Sequence, residues 1–200
     1  MLRDEPIKKG IMNDTPKIER HFEPEFDKAA NEYEITLGPS YLNGLPDVED
    51  WHILLNAIEN PVTKEFAELW HEKAKAAKGV PLRQDFDFRT LVKFGRYLAL
   101  YKRTEEGHWL TTFCGDGIVE EIKLELSNKY IHEYADKETL KFWMDNIQQI
   151  TEQCRPVMEY YTLEYTKEHH KTSIVLNLPL KSGDSDLVDM FICHESFLYL

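Results

Sequence analysis

The stretch FCGDGIVEEI, residues 113–122, sets two glycines around an aspartate, between a strand-like run and a helix-like run. Strand, glycine turn, helix is the layout of many phosphate-binding loops, where backbone N–H groups at a helix start meet an anion. The residues that follow argue against an anion here. A dinucleotide-binding turn carries a third glycine three residues after the second; Glu120 stands there instead, with Glu121 and Glu125 beyond. Acids near the first helical turn complement the helix dipole and repel a phosphate. What remains is a sharp strand-to-helix corner, with glycines where side chains would clash.

Working outward from that corner gives the order of elements. Upstream, RYLALYKRT (96–104) and HWLTTFC (108–114) flank the tight turn EEG, so they form a hairpin. Before the hairpin, Asn60-Pro61 reads as an N-cap with proline at the first helical position. Val62, Phe66, Leu69, Trp70, Ala74 and Ala77 follow at helical spacing, and Gly79 takes the left-handed position after the helix, so a helix spans 61–78. VPLRQDFDF is a linker, and RTLVKFG adds one turn. Downstream of the corner come short helical pieces to about Tyr134. A longer helix then begins at Asp136, with Leu140, Trp143, Met144, Ile147, Ile150 and Cys154 along one face, and Pro156 ends it. MEYYTLEYT (158–166), KTSIVLNLPL (171–180) and LVDMFICHESF (187–197) close the chain as three strands. Hairpin-length connections imply antiparallel pairing. The helices between the second and third strands must cover one face. The expected fold is therefore α+β: a five-stranded antiparallel sheet covered on one face by helices.

The first 59 residues differ in character. They carry 13 acids against 6 bases, and Pro6, Pro16, Pro24 and Pro39 interrupt them. They read as an acidic, partly ordered N-terminal extension in front of a domain at 60–200, with VEDWHILLNAI (48–58) able to dock as one short helix. Over the whole chain, 36 acids against 24 basic residues give a net charge of −12. Such a charge disfavours nucleic acid and anionic membrane surfaces as partners. No run approaches the ~20 apolar residues of a membrane span, and MLRDEPIKKG has no apolar core of a secretory signal. Three widely spaced cysteines fit buried thiols in a reducing compartment, so a cytoplasmic location is expected.

The order helix, strand, strand, short helices, longer helix, three strands is that of a PAS domain. Within it, Trp70, the P-x-R-x-D-F-D run of Pro81, Arg83, Asp85, Phe86 and Asp87, the Phe113, Gly115, Ile118 and Val119 corner, and the Leu178, Pro179 and Leu180 strand occur in sequence. In these residues the chain resembles the single-domain PAS-like family of proteobacteria over roughly 61–197. Where that family has a second glycine after the corner helix, Ser127 and Asn128 stand here. The resemblance implies a sensory or interaction module, not an enzyme. Its sheet curls around a cavity capped by the 137–154 helix, and partners dock on the sheet's outer face or on the N-terminal helix. Haem-binding relatives often place a histidine on the long helix, and flavin-binding relatives carry an Asn-Cys-Arg motif; neither is present, so no cofactor is required.

Candidate site residues follow from faces. Trp143 and Ile147 project from the capping helix, Thr111 and Phe113 share one strand face by period two, and Tyr160 and Thr162 share another. A mixed aromatic and hydroxyl lining suits a small-ligand pocket. Phe66 and Trp70 on the first helix are candidates for a dimer or partner surface. No C-x-x-C or H-E-x-x-H occurs, and Cys193 and His194 alternate to opposite faces, so no metal site is expected. No G-x-S-x-G nucleophile motif is present. Two other functions compete with the sensory module: a small-molecule enzyme using the same cavity, and a structural adaptor with a filled core.

Overall fold

The computed structural model describes residues 33–166, 169–183 and 186–199, with side chains described outside 33–34, 162–166 and 169–170. In chain order the elements are β1 (Tyr33–Leu37), α1 (Val48–Ala57), α2 (Pro61–Ala77), α3 (Phe88–Val92), β2 (Leu98–Arg103), β3 (Trp109–Cys114), α4 (Asp116–Ile122), α5 (Lys137–Thr151), β4 (Val157–Thr166), β5 (His169–Leu180) and β6 (Met190–Tyr199). The fold is α+β, with a six-stranded sheet in the order β1-β4-β5-β6-β2-β3 and every pair antiparallel.

The sixth strand corrects the expected count of five, and it comes from the acidic stretch read as an extension. β1 pairs with β4, Leu37 opposite Val157 and Tyr33 opposite Tyr161, which satisfies backbone groups that would otherwise lie along an open edge. The chain then stays attached: Gly38 N donates to Pro156 O at 2.8 Å and Tyr41 N to Cys154 O at 3.0 Å. Tyr41, Trp51, Leu54 and Ile58 join the core. The folded unit therefore includes residues 33–59 and does not begin at residue 60. Residues 1–32 lie outside the described residues.

The sheet is covered on both faces, not one. In β4, β5 and β6 the residues Met158, Ile174, Leu176, Leu178, Leu180, Met190 and Ile192 pack with α1 and α2. Their alternates Val157, Val175, Phe191 and Cys193 pack with Ile147 and Ile150 of α5 and Ile118 of α4. A strand buried on both faces reads as a continuous apolar run without polar alternation. IVLNLPL and MFIC are such runs. Pro179 is tolerated in β5 because β4 pairing ends at Asn177, so no ladder donor is lost on that side.

α2 begins as expected. Asn60 Oδ1 accepts from Val62 N at 2.9 Å and Thr63 N at 3.0 Å. It ends one residue early: Lys78, at φ 55°, holds the left-handed position expected of Gly79. Lys78 N then reaches Lys75 O and Gly79 N reaches Ala74 O, closing the last turn. Phe66 and Trp70 are fully buried, and Trp70 Nε1 donates to Pro179 O at 2.9 Å. Neither side chain is a dimer or partner surface. α2 turns its apolar face onto β5 and β6, and α1 closes over it. The P-x-R-x-D-F-D linker is made of caps: Asp85 Oδ2 accepts from Leu82 N, and Asp87 Oδ1 accepts from Thr90 N to start α3.

The glycine corner is a crossing of two backbones. A Cβ on Gly115 would lie 2.2 Å from Gly95 O and 2.4 Å from Arg96 O; one on Gly117 would lie 2.7 Å from Arg96 O. Asn128, where the resembled family has a glycine, adopts φ 61°, a conformation asparagine tolerates better than most residues.

Candidate functional site

α5 lies over the face of the sheet opposite α1 and α2. Asp136 starts it, its Oδ1 accepting from Glu138 N and Thr139 N at 2.8 Å each. Between α5 and the sheet is a cavity of about 50 Å3. Trp143, Ile147 and Ile150 line it from the helix; Glu159 and Tyr161 of β4, Val175 and Asn177 of β5, and Cys193 and Glu195 of β6 line it from below. Tyr101, Ile131, Tyr134 and Phe191 complete it, with Tyr101 stacked on Phe191 at 4.5 Å between ring centres.

Strand register brings the two acids together. Glu159 pairs with Val175, and Val175 with Glu195, so one row across three strands carries both carboxyls on the same face. Their Cα atoms are about two strand spacings apart, roughly 10 Å. Asn146 Nδ2 donates to Glu159 Oε1 at 2.9 Å, with Asn177 bonded to the same side chain. Ser173 Oγ donates to Glu195 Oε1 at 2.5 Å and Tyr161 OH to the same oxygen at 3.4 Å. Tyr134 OH is bonded to Thr111 Oγ1 at 2.9 Å and to Tyr101.

Burial dominates the electrostatics. It pushes Glu159 up to about 7, against the Asn146 hydrogen bond and with help from the Glu195 charge. It pushes Glu195 up to about 7 as well, against the hydroxyls of Ser173 and Tyr161. Tyr101 and Tyr161 are held well above the ordinary tyrosine range by the same desolvation. The Cys193 thiol is raised likewise, and Cys114 rises to about 12, so both stay protonated and unreactive near neutral pH. On the other face, burial lowers His71 and His194 to about 4 and keeps both neutral.

The raised carboxyls give a pH prediction. Each binds its proton more tightly in the folded chain than in the unfolded one. The stability this contributes is full below about pH 4.5 and is lost as pH rises through about 7. Glu195→Gln should therefore be close to neutral at pH 5 and more stable than the parent by roughly 1–2 kcal/mol at pH 8, since each tenfold gain in proton affinity on folding corresponds to about 1.4 kcal/mol. Urea titrations at the two pH values measure this. A variant equally destabilised at both would refute it.

Of the residues expected at a site, Trp143 and Ile147 line the cavity. Thr111 is fully buried one layer behind, holding Tyr134. Phe113 is on the other face of the sheet. β2 pairs Leu100 with Phe113 but Tyr101 with Thr111, so Thr112 is an extra residue and the two-residue period breaks there. Tyr160 also faces away, packed on the α1 and α2 side with its OH bonded to Ala57 O. A one-residue change of register swaps the faces of a strand, and the cavity takes Glu159 and Tyr161 instead. Thr162 pairs with Thr172 in the ladder, while its side chain lies outside the described residues. Sequence reasoning passed over Glu159, Glu195, Tyr101, Tyr134, Tyr161 and Asn177. The usable signal was an acid inside a strand run that begins apolar, as Glu159 in VMEYY and Glu195 after MFIC.

Among the described residues no group of three His, Cys, Asp or Glu side chains could hold a metal ion, and no helix is long and apolar enough to cross a membrane. Compared with protein-family models, curated proteins and solved structures, the chain finds no match in any of the three.

Proposed function

We propose that the chain is a PAS-like sensory and interaction module, not an enzyme. Its input is a small polar ligand taken up beneath α5, and its output is contact with a partner protein or a second copy of itself. The observation that carries this is the pair of buried carboxyls, Glu159 and Glu195, facing one cavity under a single capping helix. Burying an ionised carboxyl is costly unless it is paired and hydrogen-bonded, and here five aromatic side chains enclose the same space. The resemblance supports it through the order of its motifs; in this chain Trp70 of the leading helix also meets Pro179 of the L-P-L strand. A ligand acts only by binding two conformations differently. α5 is the element positioned to report it, since it forms the cavity's roof.

One observation favours an acid–base enzyme as a second reading: two carboxyls shifted to about 7 are suited to proton transfer at neutral pH. Hydrogen exchange with a panel of small amines, alcohols and acids separates these. The sensor predicts slowed exchange in 137–151 with at least one compound, lost in Glu195→Gln, and no chemical change of that compound. Turnover of the compound would favour the enzyme. Unchanged exchange with the whole panel would favour the ligand-free adaptor.

A further inference from the structure

A second concavity lies on the opposite face of the sheet. α2 covers β5 and β6 there, with α1 packed on it, and the β2–β3 side is left open. Phe88, Leu91 and Val92 of α3 line it from the helix, and Leu100, Phe113 and Ile192 from the strands. Its volume is about 570 Å3, against about 50 Å3 under α5. Sites for small organic ligands span roughly 300–1,000 Å3 and are mostly apolar with a few polar groups. This groove therefore admits a larger ligand than the α5 cavity, whose volume suits only a very small polar molecule. Phe88 is 80% exposed, Val92 59% and Phe113 46%, an unusual concentration of bare apolar surface.

The charged groups at the groove are Arg83, Arg96 and Asp116. Arg96 is paired with Glu120. Asp116 is exposed in the first turn of α4, where the helix dipole complements it. Arg83 is half-buried, and its Nη1 donates to Phe86 O at 2.8 Å. Among the described residues no carboxylate lies within ion-pair distance of it. Among the described residues, then, an arginine beside an apolar groove has no carboxylate partner. Its planar fork suits a carboxylate.

We propose that this groove binds a small amphipathic carboxylate, with its apolar body against Phe88, Val92, Leu100 and Phe113 and its carboxylate on Arg83. The site is independent of the cavity under α5. The apolar walls supply affinity and Arg83 supplies the preference for an anion.

Titration calorimetry on the full chain tests this with decanoate, kept below its micellar concentration, against decyltrimethylammonium, which has a comparable chain and the opposite charge. Decanoate should bind with one-site saturation and at least about tenfold more tightly than the cation. Arg83→Gln should abolish that preference, and Phe113→Ser should weaken both ligands. Val92→Asp, on an exposed helix position, should repel decanoate while leaving the circular dichroism unchanged, which keeps the test valid if Arg83→Gln fails to fold. Glu195→Gln should leave decanoate binding unaltered, separating this site from the α5 cavity. No saturable binding, equal affinity for both ligands, or decanoate binding insensitive to Val92→Asp would overturn the proposal, as would a groove that accepts only an acidic peptide.

Discussion

Trp70→Ala should lower the free energy of unfolding by about 4 kcal/mol, the middle of the range for removing a buried aromatic side chain. The indole is fully buried between the sheet and α1. Tyr41 meets it edge-on with ring centres 4.9 Å apart, and Trp51 stacks at 6.1 Å. The substitution opens a cavity and leaves Pro179 O without its 2.9 Å donor. Both losses act together, because a buried carbonyl left unpaired adds its own desolvation cost. In a chain of this size the melting temperature should fall by roughly 8–16 °C. Calorimetry and urea titration measure it, and sedimentation velocity should show an unchanged assembly state. If Trp70 were a dimer surface the pattern would invert: stability would move by less than about 0.5 kcal/mol, as for ordinary surface positions, and the assembly would dissociate.

Gly115→Ala should cost about 3 kcal/mol, at the upper end for forcing extra volume into a packed site. The new methyl would meet Gly95 O and Arg96 O, both main-chain atoms, at 2.2 and 2.4 Å. A side chain could rotate away; the backbone entering β2 can move only by giving up the bond from Gly115 N to Leu98 O. Gly79→Ala is the matched control. No atom lies within 4 Å of its added Cβ, so it should be neutral or slightly stabilising through a less flexible unfolded chain. A Gly115→Ala protein as stable as the Gly79→Ala protein would show that the corner tolerates side chains. FCGDGIVEEI would then need another reason for its glycines.

The local elements were legible because short-range chemistry dictates them. Asn60-Pro61 and Asp136 cap their helices through side-chain oxygens only a few residues from the amides they serve. The hairpin of β2 and β3 closes through a short turn. Within the expected α5 stripe Trp143, Ile147 and Ile150 face the cavity, whereas Met144 is exposed. Cys154 lies beyond the helix end and packs with the other face of the sheet. In the acidic stretch before residue 60 the short helix at 48–58 was legible from its apolar run, but charge density says nothing of an edge strand waiting for a partner. YEITL becomes β1 only when β4 offers its open edge.

The site was legible on its helix and much less so on its strands. A helical stripe can be read from one segment, whereas the face of a strand depends on registers set by neighbours far away in sequence. Thr112 adds one residue opposite the Leu100–Tyr101 step and sends Phe113 to the far side, and nothing in WLTTFC announces that. Tyr160 and Tyr161 are adjacent tyrosines, and only the ladder to β5 decides which one meets α5. By itself the sequence determined the main helices, the N-caps of α2 and α5, the hairpin and the α+β class, since each depends on bonds spanning a few residues. The tertiary structure alone decided that both faces of the sheet are covered and that Glu159 and Glu195 share a row. It also decided that Phe66 and Trp70 are core. These outcomes follow from pairing across long loops, where burial is set by what arrives from elsewhere in the chain.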